Sequence, residues 1–233
     1  GRNLAELNAF TEIIPGLRYL DCVSGACVYD LKEKKTLYSQ ALDPGIVKKL
    51  MEFALEEEAM IHVLSERSIV QRDQHFHMGI YQTMFDKITD KLENIYNSFC
   101  QEPFPVLKLN LYHKDEYSRA RTVERIKAAG LETALALAES TSLECSAKGI
   151  DKGVGLKKLC EHLGLPLEQT IAVGDADNDT MALKTAGLSI AMGNATEPIK
   201  ALADVIVADC DHNGCAEAID KYLLAENRPQ KPV

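Results

Sequence analysis

The strongest chemical signal in the sequence is a cluster of oxygen ligands directly after a short apolar run. The run Ile171–Gly174 leads into Asp175, Asp177, Asn178 and Asp179. Three carboxylates this close repel one another, and they are stable together when a cation or a basic side chain lies among them. Because ligand sets made only of oxygen favour a hard cation, the cluster predicts a Mg²⁺ site.

A simpler interpretation is that the acids only cap a helix. A carboxylate at a helix N-terminus accepts backbone hydrogen bonds and interacts favourably with the helix dipole, and Asp177, Asn178 or Asp179 could do that alone. A cap needs one acid, however, and this turn offers three together with Gly174. We therefore favour a functional site.

A second signal is the dipeptide Lys152-Gly153 at the start of the preceding predicted helix. A lysine at a helix N-terminus opposes the dipole, so the position is unfavourable unless an anion binds there. The dipeptide lies one strand–helix unit before the acid cluster, and consecutive units are usually neighbours in a sheet. Lys152 could then reach both a phosphate and one of the acids.

The elements that would position these residues alternate strictly between helix and strand from residue 151 onwards. The predicted helices cover 151–163, 177–186, a short segment near Pro198 and 214–224, and the predicted strands cover 170–173, 188–192 and 205–207. Short apolar strands that alternate with helices are typical of a parallel sheet covered by helices. Ligands bind such sheets at the carboxyl ends of the strands.

The residues before 151 have a mixed pattern. The predicted strands cover 17–23, 26–29, 36–39, 60–64, 106–112, 131–138 and 142–145, and the predicted helices begin near residues 4, 43, 81 and 116. The middle of the chain is therefore α+β, whereas the end and the start are predicted to be parallel α/β. We expect a core made of residues 1–42 and 144–233, with an inserted α+β domain over 43–143.

Composition excludes several classes of protein. The 233 residues carry a net charge of −9, which argues against the basic surface that nucleic acids need. No apolar run approaches the length that crosses a bilayer, so no membrane partner is expected. The seven cysteines are scattered and form a poor disulfide framework, which is typical of the reducing cytoplasm. Nothing indicates an oligomeric state.

The acid turn and its neighbours resemble a known family. The pattern Gly174-Asp175-x-x-Asn178-Asp179, with Lys152 upstream and Met192–Ala195 downstream, is similar to the haloacid dehalogenase (HAD) superfamily and within it to Cof-type sugar-phosphate phosphatases. Segments 24–26 and 211–219 also resemble the family. The resemblance implies a Rossmann-like α/β core with an inserted C2-type cap.

The resemblance also implies roles for single residues. Asp175 would bind Mg²⁺ directly, and Asp179 would support the metal site or position the lysine, as both a metal and a catalytic candidate. Lys152 would be catalytic and substrate-binding, because it would neutralise charge on the nucleophile and the phosphoryl oxygens. Asn178 would contact the phosphoryl group or the nearby loop. Gly1, which resembles part of the family's Thr-Gly-Arg segment, would also bind substrate.

Two parts of the family pattern do not occur in the expected place. The family has an Asp-x-Asp pair after its first strand and a Ser or Thr before its Gly-Arg, but Asp-x-Asp occurs here only at 175/177, 177/179 and 209/211. We expect a further βαβ unit of about 30 residues or more upstream. The chain alone is expected to be inactive, since the nucleophile that forms a phosphoaspartate would lie in that unit.

The predicted function is a Mg²⁺-dependent phosphomonoesterase that acts on small phosphorylated substrates, sugar phosphates first, through an aspartyl-phosphate. Two alternatives remain. One is a non-catalytic relative that binds phosphate or regulates another protein. The other is a phosphosugar mutase, which would return an isomerised sugar phosphate instead of free phosphate.

Overall fold

The computed structural model describes residues 1–11, 13–65, 67–71, 89–92, 94–137 and 140–225. The chain divides into two units, residues 1–150 and 151–233. The predicted end of the inserted domain at residue 143 falls inside a strand that continues to Ala147. The division into 1–42, 43–143 and 144–233 stays a prediction. Among the described residues, no helix is long and apolar enough to span a bilayer.

The first unit begins with a helix and a small sheet. These elements are α1 (Leu4–Thr11), β1 (Tyr19–Cys22), β2 (Cys27–Asp30) and β3 (Lys35–Ser39). The parallel arrangement predicted for the start of the chain is wrong, because β1, β2 and β3 form an antiparallel sheet. The connection between β1 and β2 is too short for the crossover that parallel strands require.

A six-stranded sheet forms most of the first unit. Its strands are β4 (Met60–Leu64), β5 (Ser68–Gln71), β6 (Thr89–Leu92), β7 (Lys108–Tyr112), β8 (Thr133–Leu137) and β9 (Ser142–Ala147). The order is β6-β5-β4-β7-β9-β8, and all neighbours are antiparallel except β5 and β6. The α+β character predicted for this region is thus confirmed for the described residues.

One face of this sheet is covered by the helices α2 (Pro44–Glu56), α3 (Ile95–Gln101) and α4 (Glu116–Ala128). The predicted start of α2 is confirmed, because Asp43 Oδ1 accepts hydrogen bonds from the N–H groups of Gly45 and Ile46 at 2.8 and 3.1 Å. The apolar core between helices and strands includes Val47, Leu50, Met51, Ile61, Leu109, Leu111 and Leu143. Burial of this apolar surface stabilises the packing of the helices against the sheet.

The helix predicted to begin near residue 81 is wrong at residues 89–92. Residues 89–92 form β6, which pairs with β5 in parallel register, and the helix begins only at Ile95, where Asn94 Oδ1 accepts a hydrogen bond from the Asn97 N–H at 2.8 Å. Pairing with β5 satisfies the backbone N–H and C=O groups of these residues, and this tertiary contact outweighs the local helical pattern. Residues 81–88 lie outside the described part of the chain.

The second unit confirms the predicted alternation. Its elements are α5 (Lys152–Leu163), β10 (Ile171–Gly174), α6 (Thr180–Thr185), β11 (Leu188–Ala191), α7 (Glu197–Leu202), β12 (Val205–Ile206) and α8 (Gly214–Ala218), followed by a π-helical turn over Ile219–Leu223. The strands form a parallel sheet in the order β10-β11-β12. Gly164, in the left-handed conformation at φ 65°, ends α5, and the observed end agrees with the predicted range 151–163.

Helices α5 and α6 approach each other closely at Gly153. A Cβ atom at this position would lie 2.6 Å from the carbonyl oxygen of Met181 and 2.7 Å from Oγ1 of Thr185. Backbone atoms of a helix cannot give way as a side chain can. Glycine therefore allows the first turn of α5 to lie directly against α6.

We expect Gly153→Ala to lower the free energy of unfolding of the second unit by about 1–3 kcal/mol, the usual cost of overpacking. This loss would outweigh the gain of roughly 1 kcal/mol that alanine brings to a helix interior. Differential scanning calorimetry measures the effect. The control is Lys157→Ala on an exposed position of the same helix, which should change stability by less than about 0.5 kcal/mol. A more stable Gly153→Ala protein would contradict this packing.

Candidate functional site

The acid turn lies at the carboxyl end of the parallel sheet. β10 ends at Gly174, and residues 177–179 form a 3₁₀ turn that leads into α6. A Cβ atom at Gly174 would lie only 2.5 Å from Cβ of Asp179, so glycine lets the turn fold back over the end of the strand. The acid cluster therefore lies at the carboxyl end of a parallel strand, which is the location that the sequence predicts.

Lys152 and Asp179 form an ion pair across the turn. Nζ of Lys152 donates to Oδ1 of Asp179 at 2.5 Å, with side-chain exposures of 27% and 11%. Lys152 is the first residue of α5, after the N-cap Asp151, whose Oδ1 accepts a hydrogen bond from the Val154 N–H at 3.1 Å. A lysine at a helix N-terminus is unfavourable by itself, because its charge opposes the helix dipole. Here the carboxylate of Asp179 supplies the anion that offsets this charge.

The second oxygen of Asp179 is also occupied. Oδ2 accepts hydrogen bonds from the backbone N–H groups of Asp175 and Ala176 at 3.0 and 3.2 Å. Asp179 occupies the N-cap position of α6, but its side chain makes no cap hydrogen bond to that helix. Its hydrogen bond from the Ala176 N–H instead caps the start of the 3₁₀ turn. Capping alone does not account for the ion pair with Lys152, so this carboxylate holds the turn and the lysine together.

These contacts change the acidity of Asp179. Burial acts to raise its pKa above the ordinary value of 3.8, but the hydrogen bond and charge of Lys152, with the two backbone N–H groups, lower the pKa by more. Asp179 is therefore an anion whenever the unit is folded near neutral pH. The ammonium of Lys152 keeps its counter-charge throughout that range.

Asp175 is held by a different neighbour. Its Oδ2 accepts a hydrogen bond from Nδ2 of Asn194 at 3.1 Å, and Oδ1 of Asn194 accepts one from the Cys210 N–H at 3.0 Å. Asn194 follows β11, so it lies at the same edge of the sheet as the acid turn. In the sequence, Asn194 stands out only as part of the segment Met192–Ala195, and its position after an apolar strand indicates that it lies at this edge of the sheet.

The turn supplies only some of the oxygen ligands that a hard cation needs. Asp175 is exposed, and only one of its two oxygens is engaged in a hydrogen bond with described residues. Both oxygens of Asp179 are engaged, which matches the predicted positioning role better than direct metal ligation. Among the described residues, no group of three or more His, Cys, Asp or Glu side chains could hold a metal ion. At Asp175 the second carboxylate oxygen makes no hydrogen bond to a described residue, and the Mg²⁺ roles stay predictions.

The two other predicted residues lie in different places. Asn178 is half-buried in the 3₁₀ turn between Asp177 and Asp179. Gly1 lies in the first unit, where its carbonyl oxygen accepts a hydrogen bond from Nζ of Lys108 at 3.0 Å. The second unit therefore brings Lys152, Asp175, Asn178 and Asp179 to one turn and its neighbouring helix, while Gly1 lies in a polar cluster of the first unit.

The ion pair makes a prediction for pH dependence. Because the pKa of Asp179 is lowered on folding, its contribution is fully present above about pH 3.8 and is lost as the pH falls through the lower folded value. Asp179→Asn should therefore lower the stability of the second unit by about 1.5–3 kcal/mol at pH 7. The difference from the natural chain should shrink below pH 3.8.

Hydrogen exchange of β10 and β11 amides between pH 7 and pH 3, corrected for intrinsic exchange rates, measures this difference. Asp177→Asn is the matched control, since Asp177 is an exposed neighbour in the same turn. A stability difference for Asp179→Asn that stays constant down to pH 3 would show that the ion pair does not form.

Comparison with known proteins gives the family of this chain. The sequence profile of the haloacid dehalogenase-like hydrolases matches residues 1–219. The chain is 29% identical over 212 residues to the phosphatase YwpJ of Bacillus subtilis, a match that covers 88% of this chain but spans only 65% of that protein's length.

Solved structures show the same fold. A haloacid dehalogenase-like hydrolase from Bacteroides thetaiotaomicron superposes with a TM-score of 0.80 at 24% identity, covering 94% of this chain and 83% of that one. A sugar phosphatase of HAD subclass IIB superposes with a TM-score of 0.75 at 20% identity, covering 93% and 78%. The predicted Rossmann-like α/β fold class is confirmed. With a family profile that matches almost its whole length, the chain belongs to the haloacid dehalogenase-like hydrolases.

Proposed function

We propose that this protein acts as a Mg²⁺-dependent phosphatase of small phosphomonoesters, with sugar phosphates as the first candidates. The observation that carries the proposal is the Lys152–Asp179 ion pair beside Asp175, at the strand ends where α/β proteins bind ligands. The phosphatase and sugar-phosphatase activities of the similar proteins support it.

The geometry suits phosphoryl transfer, in which catalysis consists mainly of positioning and of stabilising negative charge. Lys152 would hold its ammonium group against the phosphoryl oxygens, while Asp179 keeps that group in place. Asn178 would donate a hydrogen bond to the phosphoryl group from the same turn. Asp175 would bind Mg²⁺ through the oxygen that Asn194 leaves available, and the bound metal would add positive charge at the transferred group.

The proposed reaction also needs a carboxylate nucleophile that forms an aspartyl-phosphate. We expect this aspartate outside the 233 residues, so the chain by itself should not turn over. In the same proposal, residues 43–143 form the cap that selects the substrate, and the protein works in the cytoplasm.

We expect Asp175→Ala to lower kcat/KM by about 100-fold or more, the scale of losing one electrostatic group at a phosphoryl-transfer site. The assay follows phosphate release from p-nitrophenyl phosphate and from a panel of sugar phosphates, with and without Mg²⁺, on a protein that includes the upstream segment. Asp177→Ala is the matched control and should stay within about threefold, because Asp177 is an exposed acid in the same turn.

The other outcomes separate the alternatives. Turnover that does not depend on Mg²⁺, or that survives Asp175→Ala, would refute the proposed mechanism. No turnover with saturable binding of phosphate would favour a non-catalytic relative. Formation of an isomerised sugar phosphate, with no free phosphate, would favour a mutase.

A further inference from the structure

Two cysteines face each other across the hairpin formed by β1 and β2. Cys22 ends β1 and Cys27 begins β2, and the register of the antiparallel pair places them directly opposite each other. Directly opposite residues have Cα atoms about 4.5–5.5 Å apart and side chains on the same face of the sheet. This separation lies within the range of about 4.4–6.8 Å that a disulfide bond spans. The hairpin therefore brings the two sulfur atoms to a distance that a disulfide bond can bridge.

The two thiols also interact with each other. A hydrogen bond with Cys27 is the main reason why the pKa of the Cys22 thiol is raised, and burial raises it further. Both residues are thiols in the structure, and the exposed fraction is 1% at Cys22 and 8% at Cys27. The contact shows that the two Cβ–S bonds point toward each other, which a disulfide bond requires.

A cavity leads from the surface to one of these thiols. Cys27 lines a cavity of about 280 Å³ together with Leu4, Val23, Tyr29 and Thr36. The cavity reaches solvent, because the exposed residues Lys34 and Ser39 also line it. A molecule the size of water or hydrogen peroxide fits this space, whereas Cys22 does not line it. Cys27 is therefore the sulfur that a small oxidant reaches first.

The turn between the two cysteines has an unusual backbone conformation. Val23, Ser24 and Gly25 have φ angles of 53°, 56° and 94°, a region that valine in particular rarely adopts. The N–H of Val23 donates to the carbonyl oxygen of Arg2 at 2.8 Å, and Oγ of Ser24 accepts a hydrogen bond from Nζ of Lys108 at 3.2 Å. The conformation of this turn therefore affects contacts with two other segments of the first unit.

We propose that Cys22 and Cys27 are an oxidative modification site, at which hydrogen peroxide converts the two thiols into a reversible disulfide bond that fixes the turn between them. The opposed register, the thiol contact and the cavity at Cys27 support this assignment. Disulfide bonds that form only under oxidation are typical of redox-sensing sites in reducing compartments. The inference does not depend on the proposed phosphatase activity.

The reaction takes place in two steps. The sulfur of Cys27 attacks one oxygen of the peroxide, so an S–O bond forms, the O–O bond breaks, and the released hydroxide takes the thiol proton and leaves as water. The sulfur of Cys22 then attacks the sulfenic acid at Cys27. An S–S bond forms, the S–O bond breaks, and the second hydroxide leaves as water with the proton of Cys22. Two thiols are thus oxidised, one peroxide is reduced, and a dithiol reverses the change.

Mass spectrometry tests the bond directly. Trypsin cleaves after Arg18 and Lys32, and the peptide between them holds Cys22 and Cys27 and no other cysteine. The protein is treated with hydrogen peroxide, denatured, alkylated with iodoacetamide and digested. The peptide should lose two hydrogen atoms and carry no alkyl group, whereas dithiothreitol before alkylation should restore an alkyl group on each cysteine.

Single variants separate the roles of the two sulfur atoms. In Cys22→Ser, Cys27 has no second thiol to react with, so its sulfenic acid should be oxidised further to the sulfinic acid. In Cys27→Ala, Cys22 should stay a thiol, because it does not line the cavity. Cys100→Ser is the matched control. It should leave the yield of the disulfide bond within about twofold, because Cys100 is an exposed residue of α3 outside the hairpin.

Hydrogen exchange measures the effect of the bond on the turn. The N–H groups of Val23 and Ala26 should exchange about tenfold more slowly in the oxidised protein, because a cross-link removes open conformations of the segment that it closes. Dithiothreitol should restore the original rate, and Cys22→Ser should show no slowing after peroxide treatment.

Three results would overturn the inference. One is a peptide that keeps both thiols at peroxide concentrations that oxidise the exposed Cys100. Another is oxidation of Cys27 to the sulfinic acid in the natural protein without loss of the two hydrogen atoms. The third is a disulfide bond that leaves the exchange rates of the turn unchanged. Phosphate release plays no part in these measurements, so the proposed function is judged separately.

Discussion

The turn of the second unit depends on three contacts made by one carboxylate. Asp179 binds the ammonium group of Lys152 with one oxygen and the backbone of Asp175 and Ala176 with the other. The two charged partners are separated by 27 residues of sequence, so the pair exists only when α5, β10 and α6 are all in place. The position of the lysine and the shape of the turn therefore depend on each other, because the carboxylate that orients Lys152 also holds the turn that presents Asp175.

Much of this unit was predictable because its signals are local. An apolar run followed by Asp175, Asp177 and Asp179 marks a strand end, and Gly164 marks a helix end, without reference to any distant residue. The positioning role expected for Asp179 agrees with its hydrogen bonds. Asn194 was harder to assign, because its contact with Asp175 crosses between two strands and has no local pattern of its own.

The first unit shows where local patterns mislead. Residues 89–92 carry helical spacing, yet they form a strand because β5 offers them a partner. The antiparallel start of the chain follows from one short connection and not from the apolar character of its strands. Lys108 gives no sign of burial in the sequence, since its acceptors at Gly1, Ser24 and Glu144 come from three separate segments.

The hydrogen bonds that Asp179 makes within its own turn limit how this region can vary in evolution. Its carboxylate reaches back only three and four residues, so a single insertion or deletion between 175 and 179 would separate the acceptor from its donors. The connection from Gly164 to Thr170 has no such requirement toward the ion pair. Related chains can therefore differ in length there, while the spacing from Gly174 to Asp179 is fixed by the reach of one side chain.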